Sequence, residues 1–174
     1  MTENDDRRMW SITARGLSEF VSDLLKRGIR STSVRALQKI FKDQRIYPAR
    51  DFAHRCEPAP PDAFFTYHSA ANFIDIQEIV WRTFDFAAQQ LRARRPDLNE
   101  VDLEPMIAGG IRFWVDFMFI DQGARDIRRE LDVLPLLLKG AQAHFVLGEQ
   151  PLTRAWCCYE IALFKPTLCD SDSR

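Results

Sequence analysis

Apolar positions fall into blocks separated by breakers, and the period within each block predicts an element. Ile12, Leu17, Phe20, Val21, Leu24 and Leu25 recur at helical spacing. Lys26, Arg27 and Gly28 then close the block as a helix C-terminus does. Ser31 or Ser33 stands where a cap belongs, ahead of a second helix with Val34, Leu37, Ile40 and Phe41 on one face, ended by Pro48. Residues 1–57 thus read as a helical hairpin with an apolar stripe. The stripe either packs on the domain C-terminal to it or docks another chain. Pro58, Pro60 and Pro61 make residues 58–62 a linker, because proline fixes φ and removes a donor.

From residue 63 the period alternates. Residues 63–67 are short, aromatic and bounded by a breaker, as a buried strand is. After a turn at 68–72, Phe73, Ile76, Val80, Phe84, Ala87 and Leu91 mark a long amphipathic helix that ends before Pro96. Residues 97–110 carry mixed signals and read as a loop. The nearly continuous apolar run 111–120 suits a central strand covered on both faces. Asp121-Gln122-Gly123 breaks it, and Ile127, Leu131 and Leu134 begin a helix that Pro135 kinks or resets. Residues 143–148 form a third strand, and 154–164 a last helix, stopped by Pro166. Strand and helix alternating three times over 63–174 imply parallel strands joined by right-handed crossovers. Ligands of such sheets sit beyond the strands' carboxyl ends. That rim carries His68-Ser69, Asp121-Gln122-Gly123 and residues 148–154.

Composition narrows the class. With 46% hydrophobic and 28% charged residues the chain is neither disordered nor fibrous, and its net charge of −1 argues against a nucleic-acid or membrane-surface partner. The charged start is followed by no signal-like apolar core, and no apolar run reaches about 18 residues. A cytoplasmic setting is therefore expected, with Cys56, Cys157, Cys158 and Cys169 as reduced thiols. Their spacing fits neither a metal site nor a disulfide scaffold, so no metal is expected. Neither G-x-G-x-x-G nor G-x-x-x-x-G-K-[ST] occurs, so neither a Rossmann dinucleotide site nor a P-loop is supported.

The most distinctive stretch is Trp156-Cys157-Cys158-Tyr159-Glu160-Ile161. It resembles the Trp-Cys-x-x-Glu-[Leu/Ile] helix of the Toll/interleukin-receptor (TIR) family. Phe65-Thr66-Tyr67-His68-Ser69 is similar to that family's opening Phe-Ile-Ser-His-Ser, with Tyr67 in place of the middle serine. Asp116 falls where TIR domains often carry an aspartate. Trp114-Val115-Asp116, Asp121-Gln122 and Leu147-Gly148 also resemble signatures of fungal heterokaryon-incompatibility (HET) domains, themselves TIR-like. The resemblance spans residues 63–164. It implies a flavodoxin-like α/β fold, a parallel sheet with flanking helices. The family continues with at least one further strand and helix after this motif, so either the sheet here is short, or the N-terminal helices supply the missing cover, or the chain is truncated at the C-terminus.

The resemblance further implies cleavage of NAD, as substrate and not cofactor, at the nicotinamide–ribose bond in an immune or cell-death response. Glu160 is then the catalytic residue. Nicotinamide leaves without needing a strong acid, and a carboxylate stabilises the oxocarbenium-like ribose as it forms. Tyr67, His68, Ser69, Asp116, Asp121, Gln122 and Trp156 are the substrate-binding candidates. Trp114 and Phe117 could also offer stacking surfaces, and Arg125, Arg128 and Arg129 could meet a pyrophosphate; the plainer readings are Glu160 as a solvated helix residue, Trp114 and Phe117 as core, and the three arginines as a wet helix face. A non-catalytic module that signals by self-association or with other TIR-like domains is the alternative, and a nucleotide sensor without turnover a third.

Overall fold

The computed structural model describes residues 6–30, 33–67, 75–147 and 155–171. His68, Ser69 and residues 148–154 lie outside that set. In chain order the elements are β1 (Ile12–Thr13), α1 (Ala14–Lys26), α2 (Val34–Gln44), α3 (Pro48–Asp51), β2 (Ala63–Tyr67), α4 (Ile76–Arg94) and α5 (Glu100–Gly109). After these come β3 (Arg112–Trp114), α6 (Asp116–Phe119), α7 (Ile127–Glu130), α8 (Leu134–Gly140), β4 (Ala143–Leu147) and α9 (Ala155–Ser171).

The sheet has the order β1-β3-β2-β4. β3, β2 and β4 run parallel, while β1 adds antiparallel to the free edge of β3. Taking β2 as the first parallel strand, the order is second, first, third, as in flavodoxin-like folds. The chain leaves β2 to one side for β3, then crosses back over it to β4. The direction of winding therefore reverses at β2, and the crevice lies at that strand's carboxyl end.

Alternation along β2 divides the core between two faces. Phe65 packs on Phe113 and Phe145, and Phe86 of α4 meets both of those rings edge-on. On the other face Phe64 stacks on Trp114 at 4.7 Å, with His144 edge-on to it and Phe164 of α9 beyond. The N-terminal stripe joins this same core. Leu17, Phe20, Leu37 and Phe41 are buried in one cluster with Phe64, Trp114 and Phe117. Gly16 permits the approach, since a Cβ there would lie 2.5 Å from the Arg55 carbonyl oxygen. Asp62 anchors the start of β2 through its carboxylate to the Arg112 guanidinium at 3.1 Å.

Four local expectations are corrected. Ile12–Thr13 is strand, not helix, because the edge of β3 offers it partners; Thr13 then caps α1, accepting from Gly16 N at 3.1 Å. Residues 97–110 hold a helix, α5, capped by Asn99 and carrying Pro105 within it. It packs on α4 and α1, and that contact outweighs one missing donor. The run 111–120 is strand only to Trp114 and then one helical turn, α6. Phe117, Met118 and Phe119 are fully buried either way, so their apolarity recorded burial and not period. Finally, α9 continues through Pro166 to Ser171, proline biasing a helix toward ending without compelling it. Among the described residues no helix is long and apolar enough to cross a membrane.

Candidate functional site

β2 ends on Thr66 and Tyr67, the only polar-headed residues of an otherwise apolar strand. α9 crosses beside that end, with the Cys157 thiol 3.6 Å from the Tyr67 carbonyl oxygen. One turn further along, Glu160 points back at the sheet and is only 3% exposed. The Thr66 hydroxyl donates to Glu160 Oε2 at 2.5 Å. Thr66 Oγ1 also lies 2.7 Å from His144 Nε2 on β4. Glutamate is rarely buried without a partner, and here it shares one hydroxyl with a neighbouring strand.

Glu160 and Thr66 line a cleft of about 330 Å³ at the carboxyl end of β2, together with Tyr67, Asp116, Gln122 and Gln38. Asp116 is the first residue of α6, separated from β3 only by Val115. Its carboxylate accepts from the Tyr67 hydroxyl and, at 3.2 Å, from the Gln38 amide of α2. The cleft thus presents two carboxylates from different elements, each oriented by a neighbouring donor. Such a site can bind ribose hydroxyls and stabilise a cation.

The fold gathers only some of the sequence-predicted residues. Glu160, Tyr67, Asp116 and Gln122 are brought together. Asp121 lies beside a neighbouring hollow of about 230 Å³ with Tyr47, Arg8 and Glu130, and its carboxylate accepts from Gly123 N at 2.8 Å to close a turn. Trp156 is in the first turn of α9, but its side chain, like His68 and Ser69, is outside the described part. Trp114 and Phe117 are buried in the core. Arg125, Arg128 and Arg129 are exposed. Sequence reasoning missed Thr66, His144 and Gln38. A lone hydroxyl inside Phe64-Phe65-Thr66-Tyr67 was a signal for the first, and a histidine in an apolar strand for the second. Gln38 had none, since only the tertiary fold brings α2 to the rim.

Burial holds the His144 imidazolium down, to a pKa of about 4 from an ordinary 6.5. The unfolded ring takes its proton first as pH falls, so this contribution is full above pH 6.5 and is lost between 6.5 and 4. With solvent screening of a part-exposed ring allowed for, the loss is about 1–2 kcal/mol. Urea denaturation at pH 7 and pH 4.5 is expected to show this drop in the wild type beyond that in His144→Gln, which cannot titrate. Equal drops in the two proteins would contradict it.

Compared with protein-family models, with curated proteins and with solved structures, the chain shows no significant match to any.

Proposed function

We propose that the chain is a TIR-like domain that cleaves NAD between nicotinamide and ribose. The observation that carries the reading is Glu160, a buried carboxylate turned into a cleft at the switch point of a flavodoxin-like sheet. Nicotinamide departs as a neutral molecule with the electrons of its C–N bond, leaving a ribosyl cation beside Glu160. Water then adds to the cation and releases one proton, giving ADP-ribose. Attack by the adenine of the same molecule would instead give a cyclic product. Asp116 and Gln122 are the groups at hand for the ribose hydroxyls. The cleft's 330 Å³ suits the nicotinamide–ribose end of the substrate, being at the small end of ligand sites. The reading places the protein in the cytoplasm, in an immune or cell-death response.

Chromatographic detection of nicotinamide from NAD tests it, with wild type and Glu160→Ala side by side. Release by the wild type and none by the variant is expected; equal turnover would sink the reading.

One observation favours a second reading, a module that signals by self-association. Trp81 is 62% and Leu25 53% exposed along a groove between α1 and α4, and two large apolar side chains exposed along one groove are the kind of patch that marks an interaction site. Light scattering over a concentration series is then expected to show growth that Trp81→Glu suppresses. A strict monomer at every concentration excludes this reading.

A further inference from the structure

His144 is a half-buried titratable group that the chemistry above leaves unused. Its ring is fixed from two sides, edge-on to Phe64 at 5.5 Å and to Phe164 at 5.1 Å. Strand pairing sets it directly opposite Phe64, two residues before Thr66 on the same face of β2. It stands behind Thr66 as seen from the cleft, and is not among the residues that line it.

Counting protons fixes the direction of the hydrogen bonds. A threonine hydroxyl has one proton to donate. Thr66 gives that proton to Glu160 Oε2 at 2.5 Å. The contact of 2.7 Å between Thr66 Oγ1 and His144 Nε2 must then be a bond in which the nitrogen donates. A neutral imidazole carries one N–H, so Nε2 is protonated and Nδ1 is bare. A proton on Glu160 Oε2 would make that oxygen the donor to Thr66, freeing the hydroxyl proton for His144 Nε2 and allowing the opposite tautomer. The tautomer of His144 is therefore tied to the ionisation of Glu160, two hydrogen bonds away.

We infer that His144 and Thr66 are positioning residues for Glu160: the Nε2–H of the ring orients the Thr66 hydroxyl, which in turn holds the ionised Glu160 carboxylate in the cleft. The inference rests on the reading of Glu160 as the catalytic residue. The burial that keeps the ring neutral near pH 7 agrees with it, since an imidazolium so close would compete for the carboxylate's charge. Thr66 lines the cleft but commits its one proton to Glu160, and His144 does not line the cleft, so both act through the carboxylate. Their loss should therefore lower turnover and leave substrate affinity in place.

The test uses the full chain and four substitutions. Thr66→Val and His144→Leu are expected to lower kcat for nicotinamide release about ten- to a hundredfold, with KM unchanged, the loss of a charge-assisted bond. Thr66→Ser keeps the hydroxyl and His144→Gln keeps an N–H donor, and both are expected to restore most of kcat. Nitrogen-15 spectra of the imidazole, assigned with His144→Gln, are expected to show the neutral Nε2–H form at pH 7 and a mixture of tautomers in Thr66→Val. An Nδ1–H or charged ring in the wild type overturns the inference, even if every variant fails to fold. Release that depends on Glu160 but survives Thr66→Val and His144→Leu overturns the positioning role alone. Absence of any release by the wild type overturns the NAD reading and the positioning role together.

Discussion

Glu160→Gln is expected to lower nicotinamide release by about 10²–10³-fold while leaving the fold intact. The two side chains have the same shape, and the glutamine oxygen still accepts from Thr66, as Glu160 Oε2 does at 2.5 Å. What disappears is the negative charge facing the cleft. If the ribosyl cation forms there, its stabilisation comes from that charge in a partly dehydrated site and not from packing. The same substitution relieves the burial of an ionised group, so stability changes little; a shift of about 1 kcal/mol corresponds to about 2–4 °C for a chain of this size. Turnover and melting temperature therefore separate. Full activity in a folded Glu160→Gln protein would show that the charge has no catalytic part. A large fall in melting temperature with proportional loss of activity would assign the residue to structure.

Trp114→Ala is expected to be the most destabilising single change, at about 3–5 kcal/mol and a melting temperature lower by roughly 6–20 °C. Trp114 is fully buried, stacked on Phe64 at 4.7 Å and on Phe119 at 6.1 Å. Its indole N–H also donates to the carbonyl of Arg8 at 2.8 Å. One side chain thus joins β2, β3 and α6 and ties the N-terminal segment to them. Truncation opens a cavity and strips a carbonyl of its donor. Trp114→Phe keeps most of the stacking and loses the bond, so a fall of about 1–2 kcal/mol is expected. Thermal unfolding followed by circular dichroism measures both. A loss below about 1 kcal/mol for the alanine variant, against the usual cost of such a truncation, would mean that this junction is not the keystone of the core.

Much of the α/β alternation was legible because its signals are local. Residues 63–67 and 143–147 are short apolar runs between breakers, and both are strands in register with each other. The helical period from Ile76 to Leu91 is regular, and α4 follows it. Pro135 resets α7 into α8, as proline near a helix start does. The failures share a cause. The run through Trp114 to Ile120 is largely buried, so its hydrophobicity could not tell strand from helix. Ile12 and Thr13 fit a helical stripe in sequence, but the open edge of β3 claims them. Asn99 caps α5 and Pro105 lies within it, so residues 97–110 carry a start signal and a breaker together, and only packing on α4 and α1 decides for helix.

The site divides along the same line. Glu160, Tyr67, Asp116 and Gln122 could be nominated from motifs, because each sits at a strand end or at a fixed offset along one helix. Thr66, His144 and Gln38 could not be joined to them. The pairs that meet are 94 residues apart for Thr66 and Glu160, and 78 apart for both Thr66 and His144 and Gln38 and Asp116. The sequence by itself determined strands β2 and β4, the helix α4, the parallel connectivity from residue 63 onward and the helix that carries the carboxylate, since these follow from periods and breakers within a few turns of chain. Only the tertiary structure decided that this carboxylate is buried against a threonine and a histidine. Which polar groups meet at the rim depends on strand order and on the packing of α9 and α2, and those are settled by the burial of the whole core at once.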